Sequence, residues 1–156
     1  MSRVVAFGNQ LVLVHVELRE RLEDLRDNLD AVLAGDRTAD LRAHCAAFCG
    51  AVTRHHTAED DTGFPVLAAH HPELAPVLAE LVADHRIVAD ALTRLADVLA
   101  DPDPATVRSE VETLSALLET HFTYEERKIV AVLDDLTTSA GPEDAAALAA
   151  TTRLDD

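Results

Sequence analysis

The chain has 156 residues, 48% of them hydrophobic, which is enough for one domain with a buried core. Its formal net charge of −16 repels phosphate, so nucleic acids and anionic membranes are excluded as expected partners. No stretch of sequence is long enough to span a bilayer, and the first residues lack the pattern of a signal peptide. We therefore expect a cytoplasmic protein.

Four segments carry apolar residues at helical spacing: residues 11–32, 41–59, 78–99 and 107–136. The connections between them are short, which favours antiparallel neighbours. The pattern predicts an all-α fold, an up-down-up-down four-helix bundle over residues 1–138. Residues 139–156 form an Ala-rich tail that we expect to be a short, loosely docked helix or disordered.

Glycine, proline and capping residues predict where these helices begin and end. The first helix is expected to end near Gly35, and the second to begin with Asp36 or Thr38 as its cap and to stop before Gly63. Pro72 suits the first turn of the third helix, and Asp103 followed by Pro104 marks the start of the fourth. Residues 64–67 (Phe-Pro-Val-Leu) are expected to form a non-helical segment packed over the end of the second helix.

Two cysteines, Cys45 and Cys49, lie four residues apart on the second predicted helix. This spacing gives poor disulfide geometry and is not the C-x-x-C of redox or zinc sites. We interpret both as small buried apolar residues, with a redox role as the weaker alternative.

Two copies of His-x-x-x-Glu, His55 with Glu59 and His121 with Glu125, lie within the second and fourth apolar segments. Residues four apart project from the same face of a helix. Two further histidines, His15 and His85, interrupt the apolar faces of the first and third helices. All six residues therefore occupy core positions.

Folding the chain at its first and third loops places these polar residues at matching heights, at about 1.5 Å per residue. A single buried histidine is most often a core residue with a hydrogen-bond partner. Six unpaired imidazoles and carboxylates at one level of the core would each carry a large desolvation cost, which metal coordination compensates. The sequence thus predicts a buried metal site.

The ligand types narrow the choice of metal. Imidazoles with carboxylates and no thiolate suit iron, manganese or zinc, and disfavour magnesium and calcium. Six ligands are too many for one tetrahedral zinc, and the two carboxylates are placed to bridge a pair of ions. A centre of two iron ions fits best.

The order of residues within each pair separates two families of metal-binding bundles. Ferritin-like bundles use Glu-x-x-His, and no histidine of this chain has a glutamate three residues before it. The segments HVELR around His15, HHTAED around His55, Asp84-His85 and HFTYEE around His121 together resemble the hemerythrin-like (HHE cation-binding) family over residues 9–136.

The resemblance implies a non-haem di-iron site (Fe2+/Fe3+) in a four-helix bundle, with an oxo or hydroxo bridge between the metals. In this family pattern, Glu59 and Glu125 would bridge the two irons. His15 and His55 would bind one ion, and His85 and His121 the other. An open coordination position would accept dioxygen, nitric oxide or peroxide.

The sequence departs from the pattern of the oxygen-carrying hemerythrins on the third helix. Leu81 stands four residues before His85, where those proteins have a second histidine. His56 is the best substitute ligand, with a surface or supporting histidine as the equal alternative. The missing ligand otherwise leaves an extra open position, which would favour oxygen or peroxide chemistry over reversible carriage.

Several neighbours of the proposed ligands have open roles. Tyr124 is a candidate to hydrogen-bond a bound ligand or to ligate iron, although a packing role is the commoner one for such a residue. Asp60, Asp84 and Arg19 are candidates to support ligands, and exposure is their usual state. We expect Asp60 and Asp61 to face solvent. The remaining histidines, assigned to the surface, are His44, His70 and His71.

An apolar pocket beside the metals would admit diatomic molecules and exclude polar substrates. Its expected lining residues are Leu18, Leu22, Phe48, Val52, Leu81, Val88, Leu118 and Phe122. The leading functional hypothesis is therefore binding of dioxygen, nitric oxide or peroxide for sensing, storage or scavenging. A di-iron enzyme with catalase-like or oxygenase activity is the first alternative, and an iron-responsive interaction module is the second. The sequence does not identify a redox partner.

Overall fold

In the computed structural model, the described residues are 6–34, 38–101 and 103–152, and all regular secondary structure among them is helical. The predicted all-α class is confirmed. The helices are α1 (Phe7–Ala34), α2 (Thr38–Ala58), α3 (Phe64–His70), α4 (Ala75–Val98), α5 (Pro104–Ser139) and α6 (Pro142–Ala150).

The first and last long helices, α1 and α5, pack against each other in opposite directions. Near the start of α1, the backbone N–H of Phe7 donates to Thr137 Oγ1 at 2.9 Å. Further along α1, Arg26 pairs with Glu112. The partners on α5 move backwards along the chain as α1 advances, so the two helices are antiparallel.

Polar contacts show that α2 and α4 are also antiparallel. Arg42 of α2 donates to the carbonyl oxygen of Leu99 at the end of α4. Beyond the other end of α2, Asp60 meets His85 of α4. The chain direction is therefore opposite in these two helices.

The start of α5 agrees with the capping signal in the sequence. The α5 helix begins at Pro104, and the Asp103 side chain accepts a hydrogen bond from the Thr106 backbone N–H at 3.2 Å. This is the predicted N-cap. The α1 helix ends at Ala34. Gly35 and Asp36, on which part of the first-loop prediction rests, lie outside the described residues.

The prediction of a non-helical segment at residues 64–67 was wrong. After α2 the chain continues through a π-helical turn, Glu59–Gly63, directly into α3. In this turn the backbone N–H of Phe64 donates to the Glu59 carbonyl, five residues back. The wider turn shifts the hydrogen-bond register just before Pro65, which lacks a donor and would clash inside a regular α-helix. A rod that Gly63 and Pro65 were expected to end therefore continues to His70.

Pro72 also has a slightly different position from the one expected. It begins a short 3₁₀ turn, Pro72–Leu74, and the α-helix starts at Ala75. This turn reverses the chain between α3 and α4.

Within the part of the chain that the structure describes, two separate apolar cores fill the interior. The large core consists of residues from four ranges: 14–32 in α1, 41–52 in α2, 88–99 in α4 and at its C-cap, and 107–122 in α5. The small core consists of Phe7, Leu11, Phe64, Leu67, Leu78, Leu81, Ile129, Leu133, Leu136 and Leu148. On α4 and α5, His85 and Glu125 lie between residues of one core and those of the other, and on α1 His15 lies next to Val14, where the large core begins.

The structure also bears on membrane insertion. Within residues 6–34, 38–101 and 103–152, no helix combines the length and the apolar character needed to cross a bilayer.

Candidate metal centre

A layer of buried polar side chains separates the two cores, and we call it the polar layer. Every member is at most 5% exposed. The members are His15 of α1, His55 and His56 of α2, Glu59 of the π turn, His85 of α4, and His121 and Glu125 of α5. The structure thus brings together all seven residues that the sequence suggested as ligands.

The histidines of the polar layer form two close pairs. His15 Nε2 lies 3.3 Å from His55 Nε2, and His85 Nε2 lies 3.1 Å from His121 Nε2. Two nitrogen ligands about 2.1 Å from one ion, at roughly right angles, are about 3 Å apart. Each pair therefore has the spacing that a single metal ion requires.

The two carboxylates lie between the histidine pairs. Glu125 Oε1 is 3.8 Å from His15 Nε2, and Glu125 Oε2 is 3.0 Å from His121 Nε2. One carboxylate thus approaches both pairs, each through a different oxygen. Such an arrangement suits a carboxylate that bridges two ions.

Glu59 also lies between the two histidine pairs. Its Oε1 atom is 3.5 Å from His55 Nε2 and 3.4 Å from His85 Nε2. A single oxygen is therefore within reach of both proposed ion positions.

His56 lies inside the layer, beside the pair from α4 and α5. Its ring stacks on His85 with centroids 3.8 Å apart, and it meets the His121 ring edge-on at 5.1 Å. Together with Glu59, these three histidines form one group able to hold a metal ion, and the second such group is His15, His55 and Glu125. Leu81, by contrast, belongs to the small core.

Hydrogen bonds from the far side of the rings orient two of the histidines. His85 Nδ1 contacts Asp60 Oδ1 at 2.7 Å, and His121 Nδ1 contacts Asp84 Oδ2 at 3.2 Å. A carboxylate on Nδ1 holds the proton there and leaves Nε2 free to bind a metal. The expectation that Asp60 faces solvent was wrong: the π turn directs it towards His85, while Asp61 is exposed.

The orienting partner of His55 comes from the tail of the chain. His55 Nδ1 lies 2.8 Å from the backbone carbonyl oxygen of Thr151, just after α6. Sequence reasoning missed this contact, because a backbone carbonyl has no signature in the sequence. Leu148, which is buried, is an apolar residue that could have indicated docking of the tail.

His15 has a more distant partner in Glu126, whose Oε2 atom is 3.7 Å from Nδ1. Glu126 also pairs with Arg19 at 2.9 Å. Partial burial opposes ionisation of Glu126, but His15 and Arg19 hold its pKa at about 2. The His15 ring stacks on Phe122, with centroids 4.1 Å apart.

Burial keeps three histidines of the layer neutral. It lowers the pKa of His55 and of His85 to about 3, and that of His56 well below its ordinary value. Repulsion between neighbouring rings adds to the effect. Neutral imidazole is the form that binds metals, so these rings need not lose a proton to bind one at neutral pH.

The carboxylates behave differently from each other. Burial and the neighbouring Glu125 raise the pKa of Glu59 well above its ordinary value. Burial opposes ionisation of Glu125 as well, but Glu59, His121 and His15 lower its pKa. Despite burial, contacts with Glu125 and Asp84 raise the pKa of His121. Without a metal, the layer therefore retains protons that a cation would displace.

Unpaired polar atoms test whether this cluster fits a metal. His56 Nε2, Glu59 Oε1 and Glu125 Oε1 are buried without a hydrogen-bond partner among the described residues, and Glu125 Oε2 has the His121 ring nitrogen at 3.0 Å. A buried polar atom without a partner costs about 1–3 kcal/mol. The donor set, five imidazoles and two carboxylates, is one that iron, manganese or zinc accepts, so the residues fit the metal centre that the sequence predicts.

The structure does not bring the Tyr124 hydroxyl to the layer. Its ring packs against the small core and its hydroxyl donates to Glu80 of α4. His44 and His70 are exposed, as expected, and His71 is partly so.

The two cysteines lie away from the layer. Both are free, with Cys45 in the large core and Cys49 packed against it. Burial and the neighbouring Cys49 raise the pKa of Cys45 to about 12, so it remains a thiol at neutral pH. This agrees with the interpretation of Cys45 as a small buried apolar residue.

Two clefts lead from the surface towards the layer. One, of about 170 Å³ between α2 and α4, is bordered by His56, His85 and Arg86. The other, of about 400 Å³ between α4 and α5, is bordered by Asp84 and His121. Each cleft is thus bordered by one histidine of the α4 and α5 pair.

Of three comparisons with known proteins, one gives a match, and it covers most of the chain. A family model described as the hemerythrin HHE cation binding domain matches residues 8–133. No curated protein and no solved structure gives a significant match. The matched range includes every member of the polar layer and ends before α6.

Proposed function

Because the chain belongs to the hemerythrin HHE cation-binding domain family, we propose that its polar layer binds two iron ions and, through them, a small ligand such as dioxygen, nitric oxide or peroxide. The role would be sensing, storage or scavenging. We also propose that α1, α2, α4 and α5 form the up-down-up-down four-helix bundle that the sequence predicts. The antiparallel contacts of α1 with α5 and of α2 with α4 support this topology.

One observation supports the ion pair above the others. The ring nitrogens form two couples, 3.3 Å and 3.1 Å apart, and the Glu125 oxygens approach one couple each. A single ion would leave one couple and its buried carboxylate oxygen without a partner. Two ions compensate both.

In this proposal each group of residues has a distinct task. His15 and His55 hold one ion, while His56, His85 and His121 hold the other, with Glu59 and Glu125 between them. Bound iron would supply an open coordination position for the small ligand. The apolar cores on both sides restrict water at the site, and the narrow clefts limit access to small molecules.

Metal analysis tests the proposal directly. The protein loaded anaerobically with Fe(II) should contain about two irons per chain. Replacing a ligand, as in His121→Ala or Glu59→Ala, should remove bound iron and lower the thermal midpoint, because metal binding contributes folding free energy. His44→Ala, an exposed histidine on α2, is the matched control and should retain the full content. Absence of iron from the loaded wild-type protein would refute the proposal.

The absorption spectrum of the reduced iron protein then identifies the ligand. Dioxygen, nitric oxide and peroxide are added separately, and a reversible band with one of them identifies a carrier or sensor of that molecule. Rapid gas evolution from peroxide would instead identify an enzyme.

A further inference from the structure

The C-terminal helix α6 lies outside the residues that match the family, yet it packs against the other helices. Leu148 is 1% exposed within the small core. Asp144 pairs with His70 of α3 at 2.8 Å, and the Thr152 hydroxyl donates to Gln10 of α1 at 2.9 Å. These contacts place Thr151 at a defined position beneath the polar layer.

Thr151 reaches the layer through its backbone. Its carbonyl oxygen can only accept a hydrogen bond, so the 2.8 Å contact requires a proton on His55 Nδ1. His55 Nε2 then carries the lone pair, and it faces His15 Nε2 and Glu59. The Thr151 hydroxyl donates to the Leu148 carbonyl at 2.7 Å, which fixes the end of α6.

Gly63 makes this approach possible. A Cβ atom at Gly63 would collide with Cγ2 of Thr151, which is itself 5% exposed. The π turn therefore meets the tail at a position where only hydrogen fits. The three heavy atoms nearest to such a Cβ all belong to Thr151.

We propose that the segment 142–152 is a clamp of the metal centre, in which the Thr151 carbonyl positions His55 and makes metal affinity depend on docking of α6. The proposal rests on the proposed function, because it assigns His55 as a ligand. Thr151 is a positioning residue and does not itself bind the metal. The orienting partners of His85 and His121 are carboxylates of the bundle itself, whereas that of His55 is supplied by the tail.

A pair of substitutions tests the clamp in the full-length chain. Gly63→Ala adds the colliding methyl group and should displace Thr151. Loss of an outer partner of a metal-bound histidine typically lowers affinity by about 10–100-fold, and we expect this loss for Fe(II) in anaerobic competition with a chelator. Gly141→Ala is the matched control, since a Cβ there meets nothing within 4 Å.

Rescue separates the clamp from a general effect of the added methyl group on the π turn. Thr151→Ser removes Cγ2 and retains the hydroxyl, so the double variant G63A/T151S should regain Fe(II) affinity close to that of wild type. A double variant as weak as Gly63→Ala alone would overturn the proposal, and so would wild-type affinity in Gly63→Ala.

A measurement on the metal-free protein distinguishes the clamp from the proposed function. Nitrogen NMR of the His55 ring should show the Nδ1–H tautomer in wild type and in the double variant, and a mixture of tautomers in Gly63→Ala. An unchanged tautomer in Gly63→Ala would overturn the clamp, whatever metal is bound. Failure of wild type to bind Fe(II), with the tautomer shift present, would refute the iron site and, with it, the dependence of metal affinity on α6.

Discussion

The two apolar cores on either side of the polar layer differ in how they are built. The large core is made of four long helices with apolar residues at regular spacing. The small core joins the ends of α1, α4 and α5 to two short helices, α3 and α6, that are brought in by irregular turns. One side of the polar layer is therefore built from long helices alone, and the other is assembled from helix ends and short helices. We expect metal binding to stabilise the small-core side more than the large-core side.

Matched leucine truncations should show this difference most strongly. Leu114→Ala in the large core and Leu67→Ala in the small core each remove a side chain that is at most 1% exposed, and each should cost about 2–5 kcal/mol of stability. Only Leu67→Ala should also weaken Fe(II) binding, because α3 directly follows the turn that carries Glu59. Chemical denaturation and metal titration of both variants measure the two effects. Equal loss of affinity in both would mean that the cores do not differ in this way.

Iron loading should stabilise the two sides unequally. A ligand at about 100 times its Kd adds about 2.7 kcal/mol to the free energy of unfolding. Hydrogen exchange should show the largest slowing at backbone amides of α3 and α6, with little change around Leu25 of α1 and Leu114 of α5, which lie in the large core. Uniform slowing throughout the chain would contradict the comparison.

Neighbouring aspartates of the π turn test whether the irregular side helps to hold the metal. Asp60→Ala removes the acceptor for His85 Nδ1 and should lower Fe(II) affinity by about 10–100-fold. The control Asp61→Ala changes an exposed carboxylate one residue further on, and its affinity should match wild type. If both variants bind iron equally well, the hydrogen bond of Asp60 has no part in binding.

Acid should lower the free energy of unfolding through the buried histidines of the polar layer, since the apolar cores contain no group that titrates in this range. In the metal-free protein the pKa of His55 is about 3 when folded, against an ordinary value of about 6.5, so below pH 6.5 unfolding takes up a proton there. The contribution of His55 to the free energy of unfolding is largest above pH 6.5. It declines as the pH falls towards 3, by about 1.4 kcal/mol per pH unit. The raised pKa of Glu59 has the opposite effect, because above pH 4.5 it makes the free energy of unfolding fall as the pH rises. The effect of His55 is therefore isolated by comparing variants.

The comparison uses two histidine variants. His55→Gln should reduce the slope of stability against pH by about 1.4 kcal/mol per unit between pH 6.5 and 3. His44→Gln changes an exposed histidine and should leave the slope as it is. Urea denaturation of the metal-free proteins at several pH values measures both slopes, and identical slopes in the two variants would contradict the assignment.

The same contrast explains what sequence reasoning could predict. The regular spacing of Leu and Val located the four long helices, and the interruptions by His15, His55, His85 and His121 located the polar layer. These signals are local, and each helix carries its own. The predicted course of residues 59–70 was wrong because Gly63 and Pro65 usually end a helix. The helix continues because Phe64 and Leu67 pack into the small core, and this packing is visible only in the structure.

Contacts between distant segments were beyond prediction for a different reason. The bond from His55 to Thr151 spans 96 residues and ends on a backbone atom. Asp84 reaches His121 on another helix, although in the sequence it is the neighbour of His85. Residue type and spacing do not specify such pairs.

The π turn has a consequence for how this chain tolerates insertions and deletions. Each residue of an α-helix advances the chain by about 100° around the axis. A turn that closes on five residues holds one residue more than a regular α-helical stretch covering the same rotation. Removal of one residue from 60–62 should therefore restore regular winding with α3 still facing its neighbours, whereas removal of two would rotate α3 by about 100° and carry Leu67 away from the small core. Homologous chains should accordingly be found with one residue fewer in this turn, but not with two fewer.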